Sequence, residues 1–298
     1  VKPGVRLKPA DRIEMLSCPP QETELQPEAL PLDILYEDRH CIVVNKPPGM
    51  VVHPAAGNRR GTLVNALLHH CRDLPGIRGE RRPGIVHRLD KNTSGVLVIA
   101  KDLEALHALA LQFQQRRVRK EYLALVWGRM DKGKGSIRRP IGRHRSDRKR
   151  MSSVHRLSRS REALTEWQVE DLFPVAPLGQ RFSWVTLLRL RPHTGRTHQI
   201  RVHLADEGHP IVGDPLYGPK QKGFVKMAVE VPELIAFPRQ ALHAERLGFL
   251  HPRSGAPVEF HAPLFADMET LLSLLREKRG MDSMGLERRG VDKGIRFL

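Results

Sequence analysis

An α+β fold, with a mixed, mainly antiparallel sheet and flanking helices, is predicted by three features of this chain. Segments with strand character outnumber amphipathic helices. Successive strands often follow one another with no helix between them, which argues against a regular βαβ alternation. A length of 298 residues with 40% hydrophobic content is also enough to bury a full core.

At the N-terminus VKPGVRLKPADRIEM reads as two short strands around a Lys-Pro-Ala-Asp turn, the end of a longer unit assigned to residues 1–17. Residues 18–31, rich in Pro and Glu, read as a linker. The main domain is expected over 32–277. Ile34–Tyr36 and Cys41–Asn45 are apolar strands joined by the polar turn Glu37–His40, a hairpin signal. Thr62–Cys71 is helical, with Leu63, Ala66, Leu67 and Cys71 at helical spacing. Val96–Ala100 is a continuous apolar run, expected as a strand buried on both faces. Asp102 suits an N-cap for a helix over Leu103–Arg116, with Leu106, Leu109, Ala110 and Phe113 as its apolar face. Strands are predicted at 120–127, 163–170 and 182–190, the last from the alternation of Phe182, Trp184, Thr186, Leu188 and Leu190. His198–Ala205 reads as a helix that stops near Gly208. Ala241–Leu250 and Val258–His261 return to strand, and Met268–Arg276 is a last amphipathic helix. The Gly- and Arg-rich residues 278–298 read as a mobile tail.

The formal net charge of +17 implies a polyanionic partner, with nucleic acid ahead of an anionic membrane surface. No apolar run reaches the ~18 residues a spanning helix needs. The cysteines Cys18, Cys41 and Cys71 are odd in number and form no CxxC pair, so a disulfide framework and a zinc site are both disfavoured and a cytoplasmic location is expected. Residues 138–161 hold ten Lys/Arg against one acid, Asp147. Pro140, Gly142 and several serines interrupt that stretch, which favours a flexible loop or loose hairpin over a long helix. It reads as an arm that tracks phosphates, with Arg145, Arg148, Lys149 and Arg150 as RNA contacts.

The segment GIVHRLDKNTSGVLVIAK at 84–101 carries the chemistry. It sets Asp90 directly after His-Arg-Leu, with the turn Thr93-Ser94-Gly95 leading into the apolar strand. An Asp beside an Arg is more often a structural ion pair than a catalyst, but the rest of the chain reverses those odds. KPPGMVVHP at 46–54, KEYLALVWG at 120–128, RPHTGRTHQIRVHLA at 191–205 and GHPIVGDPLYG at 208–218 accompany it. Gly and Pro punctuate all but one of these, as expected where backbone approaches a ligand. A kinase catalytic loop is excluded, since HRLD is one residue longer than HRD and neither a Gly-rich loop nor DFG occurs.

In this order the segments resemble the RluA-type family of pseudouridine synthases over roughly residues 30–275. VVHPAAGNRRGTLVNALLHH, RQALHAERLGFLHP and FHAPLF look most like the RluD type, which acts on large-subunit ribosomal RNA. In that family a small S-four-like RNA-binding domain precedes the catalytic domain, and residues 1–15 are similar to its closing strands. The resemblance implies isomerisation of uridine in place, without metal, nucleotide or redox cofactor. It makes Asp90 the essential carboxylate, acting either as nucleophile or as the base that takes a sugar proton. Asp90 has to stay ionised in a closed pocket whose desolvation favours the neutral form, and a nearby cation would offset that cost. Arg201, in HQIR, is the implied partner. Tyr122 matches the family's active-site tyrosine, with a ring able to stack on uracil and a hydroxyl able to assist proton removal from C5.

Arg88 is expected to fill the place of the flipped-out uridine. Extrusion costs a few kcal/mol, and stacking of the guanidinium on neighbouring bases recovers ~1–3 kcal/mol. His87 reads as an anchor of the turn with RNA contact, and Lys46, His53, Arg196 and His198 as pocket or RNA-contact positions. A monomer with large-subunit ribosomal RNA as partner and no membrane association is the resulting expectation. Another ribosomal or transfer RNA target, a non-catalytic RNA-binding or ribosome-assembly factor, and a generic DNA-binding protein are the alternatives, in that order.

Overall fold

The chain is described from a computed structural model over residues 25–54, 57–71, 74, 83–147, 150–154, 160–177, 182–218 and 231–291. Residues 1–17, much of the segment read as linker, and Arg148 and Lys149 lie outside the described residues. Residues 26–28 run against the first helix. The Glu28 N–H donates to the Asn65 carbonyl, and Asn65 Nδ2 to the Gln26 carbonyl.

Strands β1 (Ile34–Glu37) and β2 (Cys41–Lys46) form the expected antiparallel hairpin. Asp38 closes it by accepting the backbone N–H groups of His40 and Cys41 at 2.8 and 2.7 Å. Helix α1 (Leu63–His70) starts at Thr62, whose side chain and that of Asn65 form a reciprocal capping box. Strand β3 (Ser94–Ala100) is buried along its whole length, and α2 (Leu103–Gln114) begins at Asp102, which accepts the Ala105 N–H at 2.7 Å. Then come β4 (Arg119–Trp127), β5 (Lys134–Arg138), the short pair β6 (Gly142–Arg143) and β7 (Met151–Ser152), β8 (Leu164–Pro174) and β9 (Trp184–Pro192). Helices α3 (Gln199–Asp206) and α4 (Glu233–Ala236), strands β10 (Leu242–Leu250) and β11 (Pro257–His261), and helix α5 (Ala266–Val291) complete the order.

The main sheet runs β1-β2-β3-β10-β4-β9-β8-β5, with β11 paired to the far end of β10. Among the described residues every pairing is antiparallel except β3 with β10, where Ser94 faces His243 and Gly95 faces Ala244. This is the mixed, mainly antiparallel α+β arrangement expected. Two large apolar clusters fill it, and a smaller third (Ile141, Ala163, Val202 and Tyr217) lies by the basic hairpin. Of the large pair, one joins β2, β3, α1 and α2; the other joins β4, β9, β10, α3 and α5, and Tyr122 packs against both.

β5 and α5 depart from the sequence reading, while the basic stretch takes one of the two arrangements expected of it, a loose hairpin. Strand β5 was not anticipated, because its run contains Gly135. That glycine is required: a Cβ there would come within 2.5 Å of the Trp167 ring on β8. Helix α5 continues to Val291 rather than ending near Arg276, since no proline interrupts that stretch and single glycines are tolerated inside helices. In the basic stretch, β6 and β7 pair as a small hairpin. It is tied to α3 by Asp206, which accepts both the backbone N–H and the hydroxyl of Ser153.

Gly95 sits at the one parallel contact with φ +116°, and a Cβ there would lie 2.2 Å from the Ala244 carbonyl oxygen. Gly95→Ala is therefore expected to separate β3 from β10 and to cost about 3 kcal/mol or more, read as a lowered midpoint in thermal unfolding.

Candidate active site

Asp90 sits on a short turn between an isolated bridge (Ile85 with Ile99) and the start of β3. Leu89 is buried beneath it, the Thr93 N–H closes the turn onto the Asp90 carbonyl at 3.1 Å, and the Asp90 side chain keeps 22% exposure. Buried side chains hold this turn from below. Lys46 Nζ donates to the Lys91 carbonyl at 3.2 Å, Arg239 Nη1 to the Asn92 carbonyl at 3.2 Å, and Gln240 Nε2 to the Thr93 hydroxyl at 3.1 Å. His243 lies 3.0 Å from the Ser94 hydroxyl and 3.0 Å from the Ala262 carbonyl. The carbonyl requires a donor, so Nε2 carries the proton and Nδ1 accepts from Ser94.

Facing the turn is α3. Its Arg201 donates from Nη1 to Asp90 Oδ2 at 2.9 Å. The other edge of the guanidinium forks onto Asp214, from Nε to Oδ2 at 2.7 Å and from Nη2 to Oδ1 at 2.9 Å. Asp214 is fully buried and also accepts the backbone N–H groups of Leu216 and Tyr217. Burial alone would raise the Asp214 pKa, but the Arg201 hydrogen bonds and charge reverse this and hold it below the ordinary carboxylate value. Burial would likewise lower the Arg201 pKa, and its two carboxylate partners raise it instead. Arg201 is thus a fixed, permanently charged donor aimed at Oδ2 of Asp90, and among the described residues Oδ1 accepts no hydrogen bond.

That cavity has a volume near 120 Å³ and is lined by Asp90, Arg88, Tyr122, His198 and Arg201. A second cavity, near 590 Å³, adjoins it and shares Arg88, Tyr122, Thr194 and Arg196. Tyr122 is desolvated and faces the Asp90 charge, and both causes raise its pKa, so its hydroxyl is a phenol at neutral pH. His198 takes up a left-handed backbone (φ 55°) at the entry to α3 and turns one ring edge to each side: Nδ1 lies 2.9 Å from the Tyr217 hydroxyl and Nε2 lies 3.9 Å from Asp90 Oδ2. Burial lowers its pKa below the ordinary imidazole value, with Arg201 and Arg88 opposing Asp90 and Asp214. The Tyr217 hydroxyl accepts the Met151 N–H at 2.8 Å and lies 2.9 Å from His198 Nδ1.

Asp90, Tyr122 and Arg201, the three residues expected to do the chemistry, line one cavity. Arg88 is exposed at the lip where the two cavities meet. His53 and Arg196 line the larger cavity, with Arg196 Nε also donating to the Glu162 carbonyl at 3.1 Å. Arg145 is exposed in the β6–β7 loop, and Arg150 lies with its guanidinium 5.4 Å from the centre of the Tyr217 ring.

One expectation needs correction. Lys46 is completely buried, with Nζ donating to the carbonyls of Pro47, Met50 and Lys91. It anchors the loop, and its ammonium is spent on carbonyls inside the fold. Burial pushes its pKa down to about 7, yet three acceptors match the three N–H bonds of the ammonium form. His87 stacks on Phe113 at 4.5 Å, and its Nε2 accepts the Val98 N–H at 3.1 Å, so it fastens the turn to β3 while lining the larger cavity. Burial, helped by Lys120, pushes its pKa down to about 3.

Asp214 and Tyr217 were missed as site residues. Their signal was present in GHPIVGDPLYG, where an acid sits between Gly213 and Pro215 with no charged neighbour in sequence to pair with it. Among the described residues two groups could in principle gather a metal ion, Glu37 with His70 and Cys71, and Asp38 with Cys41 and His251. Both lie at the Cys41 end of β2, whereas the Asp90 turn adjoins the Lys46 end.

His87, His203 and His243 all have pKa values lowered by burial. The unfolded chain therefore binds more protons than the folded one below the ordinary histidine pKa of ~6.5. Stability is expected to fall as pH drops below ~6.5, with a limiting slope of about 1.4 kcal/mol per pH unit from His87, whose pKa is lowered to about 3, and further contributions of the same sign from His203 and His243. Denaturant titrations across that range check this, and a flat profile would contradict it.

Comparison with known proteins agrees with this geometry. Residues 40–206 match the family described as RNA pseudouridylate synthase. The chain is 43% identical over 277 residues to the Bacillus subtilis protein named uncharacterized RNA pseudouridine synthase YlyB, covering 93% of this chain and 84% of that one. It is 46% identical over 278 residues to ribosomal large subunit pseudouridine synthase D of Xanthomonas campestris, covering 93% and 79%. Among solved structures, human RNA pseudouridylate synthase domain containing 1 superposes with a TM-score of 0.60 at 26% identity, over 87% of this chain and 98% of that one.

Proposed function

We propose that this chain, which belongs to the RNA pseudouridylate synthase family, isomerises specific uridines of large-subunit ribosomal RNA to pseudouridine, with Asp90 as the essential carboxylate. The observation that carries this reading is the line Asp214–Arg201–Asp90, which ends in the cavity that Tyr122 walls. The target follows the relatives named for the large ribosomal subunit. A ribosomal RNA substrate supports a cytoplasmic location. Every group named comes from one chain, so a monomer suffices.

Uridine and pseudouridine contain the same atoms, so no oxidant, reductant or group donor enters the balance. The C1′–N1 bond breaks with its electrons going to the uracil. Asp90 acts through the oxygen that Arg201 leaves open, either adding to C1′ or removing a sugar proton. The uracil then turns and C5 bonds to C1′; on the first route this releases Asp90, and on the second Asp90 returns to the sugar the proton it took, after which C5 loses its proton and N1 gains one. Tyr122 offers its ring to the uracil. Arg88, exposed at the lip, is placed to fill the gap left in the RNA stack.

Release of tritium from ribosomal RNA transcripts labelled at C5 of uridine tests the reading, because the proposed reaction must discharge that hydrogen to water. Tritium release with multiple turnovers is expected. Tight RNA binding with no release would contradict the proposal.

A further inference from the structure

Arg150 stands apart from the other cations around the site. It begins the return of the basic hairpin, where its N–H donates to the Asp147 carbonyl and its carbonyl accepts from His144. Its guanidinium lies 5.4 Å from the centre of the Tyr217 ring, while that of Arg201 lies 5.1 Å from the same ring. Among the described residues the Arg150 side chain makes no hydrogen bond and no ion pair, and its Nε is buried without an acceptor. A buried guanidinium nitrogen without an acceptor is unfavourable, and contact with an aromatic face offsets only part of that. The backbone around it is fastened: the Met151 N–H donates to the Tyr217 hydroxyl at 2.8 Å, and Ser153 is held by Asp206. Arg201, by contrast, has both edges committed to Asp214 and Asp90. Arg150 is therefore a pre-positioned cation with an open fork, one aromatic ring away from the catalytic ion pair.

We propose that Arg150, held on the Tyr217 ring, is a phosphate clamp for the target nucleotide, binding one of the two RNA phosphodiesters that flank the uridine in the Asp90 cavity. A phosphodiester fits because the planar guanidinium matches its two free oxygens bidentately. It is also the anion that every nucleotide placed beside Asp90 brings with it. The hairpin thus does more than track phosphates at a distance, since its last residues reach the active site through Tyr217. The clamp rests on the pseudouridine synthase reading above.

The test uses a ribosomal RNA fragment that the unmutated chain modifies, with single methylphosphonate linkages placed in turn around the target. At one of the two flanking linkages, neutralisation is expected to lower kcat/KM about 10- to 100-fold. Arg150→Met should show a similar loss on natural RNA and no further loss at that one linkage, while losses at other linkages multiply. Arg150→Lys, which keeps the charge but loses the planar fork, should fall between the two. Multiplying losses at every linkage, or full activity of Arg150→Met, would overturn the clamp. If the unmutated chain modifies no fragment, the functional reading fails instead. The clamp is then read from the salt dependence of binding to ribosomal RNA: Arg150→Met should reduce the slope by ~0.7, the value for one phosphate contact on single-stranded RNA. An unchanged slope would overturn it.

Discussion

Asp90→Asn is expected to abolish pseudouridine formation, by on the order of 10⁴-fold or more, while leaving the fold and RNA binding close to unchanged. The geometry explains the asymmetry. Asp90 keeps partial exposure and shares only one hydrogen bond with Arg201, whose other edge remains forked onto Asp214. Losing the Asp90 charge therefore leaves no unpaired cation behind, and the amide is close to the carboxylate in size. An amide neither adds to C1′ nor takes a sugar proton at a useful rate. Thermal midpoints, RNA affinity and turnover measured on the same preparations check this. A drop in stability that parallels the drop in activity would show instead that Asp90 is a structural ion-pair partner.

Asp214→Asn should give the opposite signature. This carboxylate is fully buried and holds Arg201 from Nε and Nη2 together with two backbone N–H groups. Breaking such a pair from one side typically costs 3–5 kcal/mol, because the remaining buried charge loses its compensation. Activity should also fall, since Arg201 would no longer be held in line with Asp90. The pKa of Asp214 is lowered in the folded state, so its stabilising contribution is present above the unfolded carboxylate value of ~3.9 and is lost as pH falls through the folded value. Asp214→Asn should accordingly flatten the acid limb of the stability profile below pH ~4. A variant as stable as the unmutated chain at neutral pH would contradict the assignment.

Much of the fold was legible because local signals agreed with the tertiary result. Thr62 and Asp102 mark helix starts by side-chain capping, and the Val96–Ala100 run is buried as its composition implies. Strand β5 escaped because its Gly135 is explained only by Trp167, a residue more than thirty positions away. The proposed catalytic residues Asp90, Tyr122 and Arg201 were legible through the family resemblance of the segments that hold them, and all three line one cavity. What the sequence did not reveal was partnership across the fold. Lys46 looks like a cation available to RNA until its three carbonyl acceptors are seen. Asp214 and Tyr217 acquire meaning only when Arg201 and His198 are brought to them. Arg150, read as one of several charges on an arm, is distinguished from its neighbours by a ring from another part of the chain.

The measurement that tests the account most directly is mapping of pseudouridine on purified, unmodified large-subunit ribosomal RNA. Carbodiimide-dependent primer-extension stops would be compared after incubation with the unmutated chain and with Asp90→Asn. The account predicts discrete stops with the unmutated chain and none with the variant, at equal RNA occupancy. Stops produced equally by Asp90→Asn, or no stops from a chain that binds the RNA tightly, would contradict it.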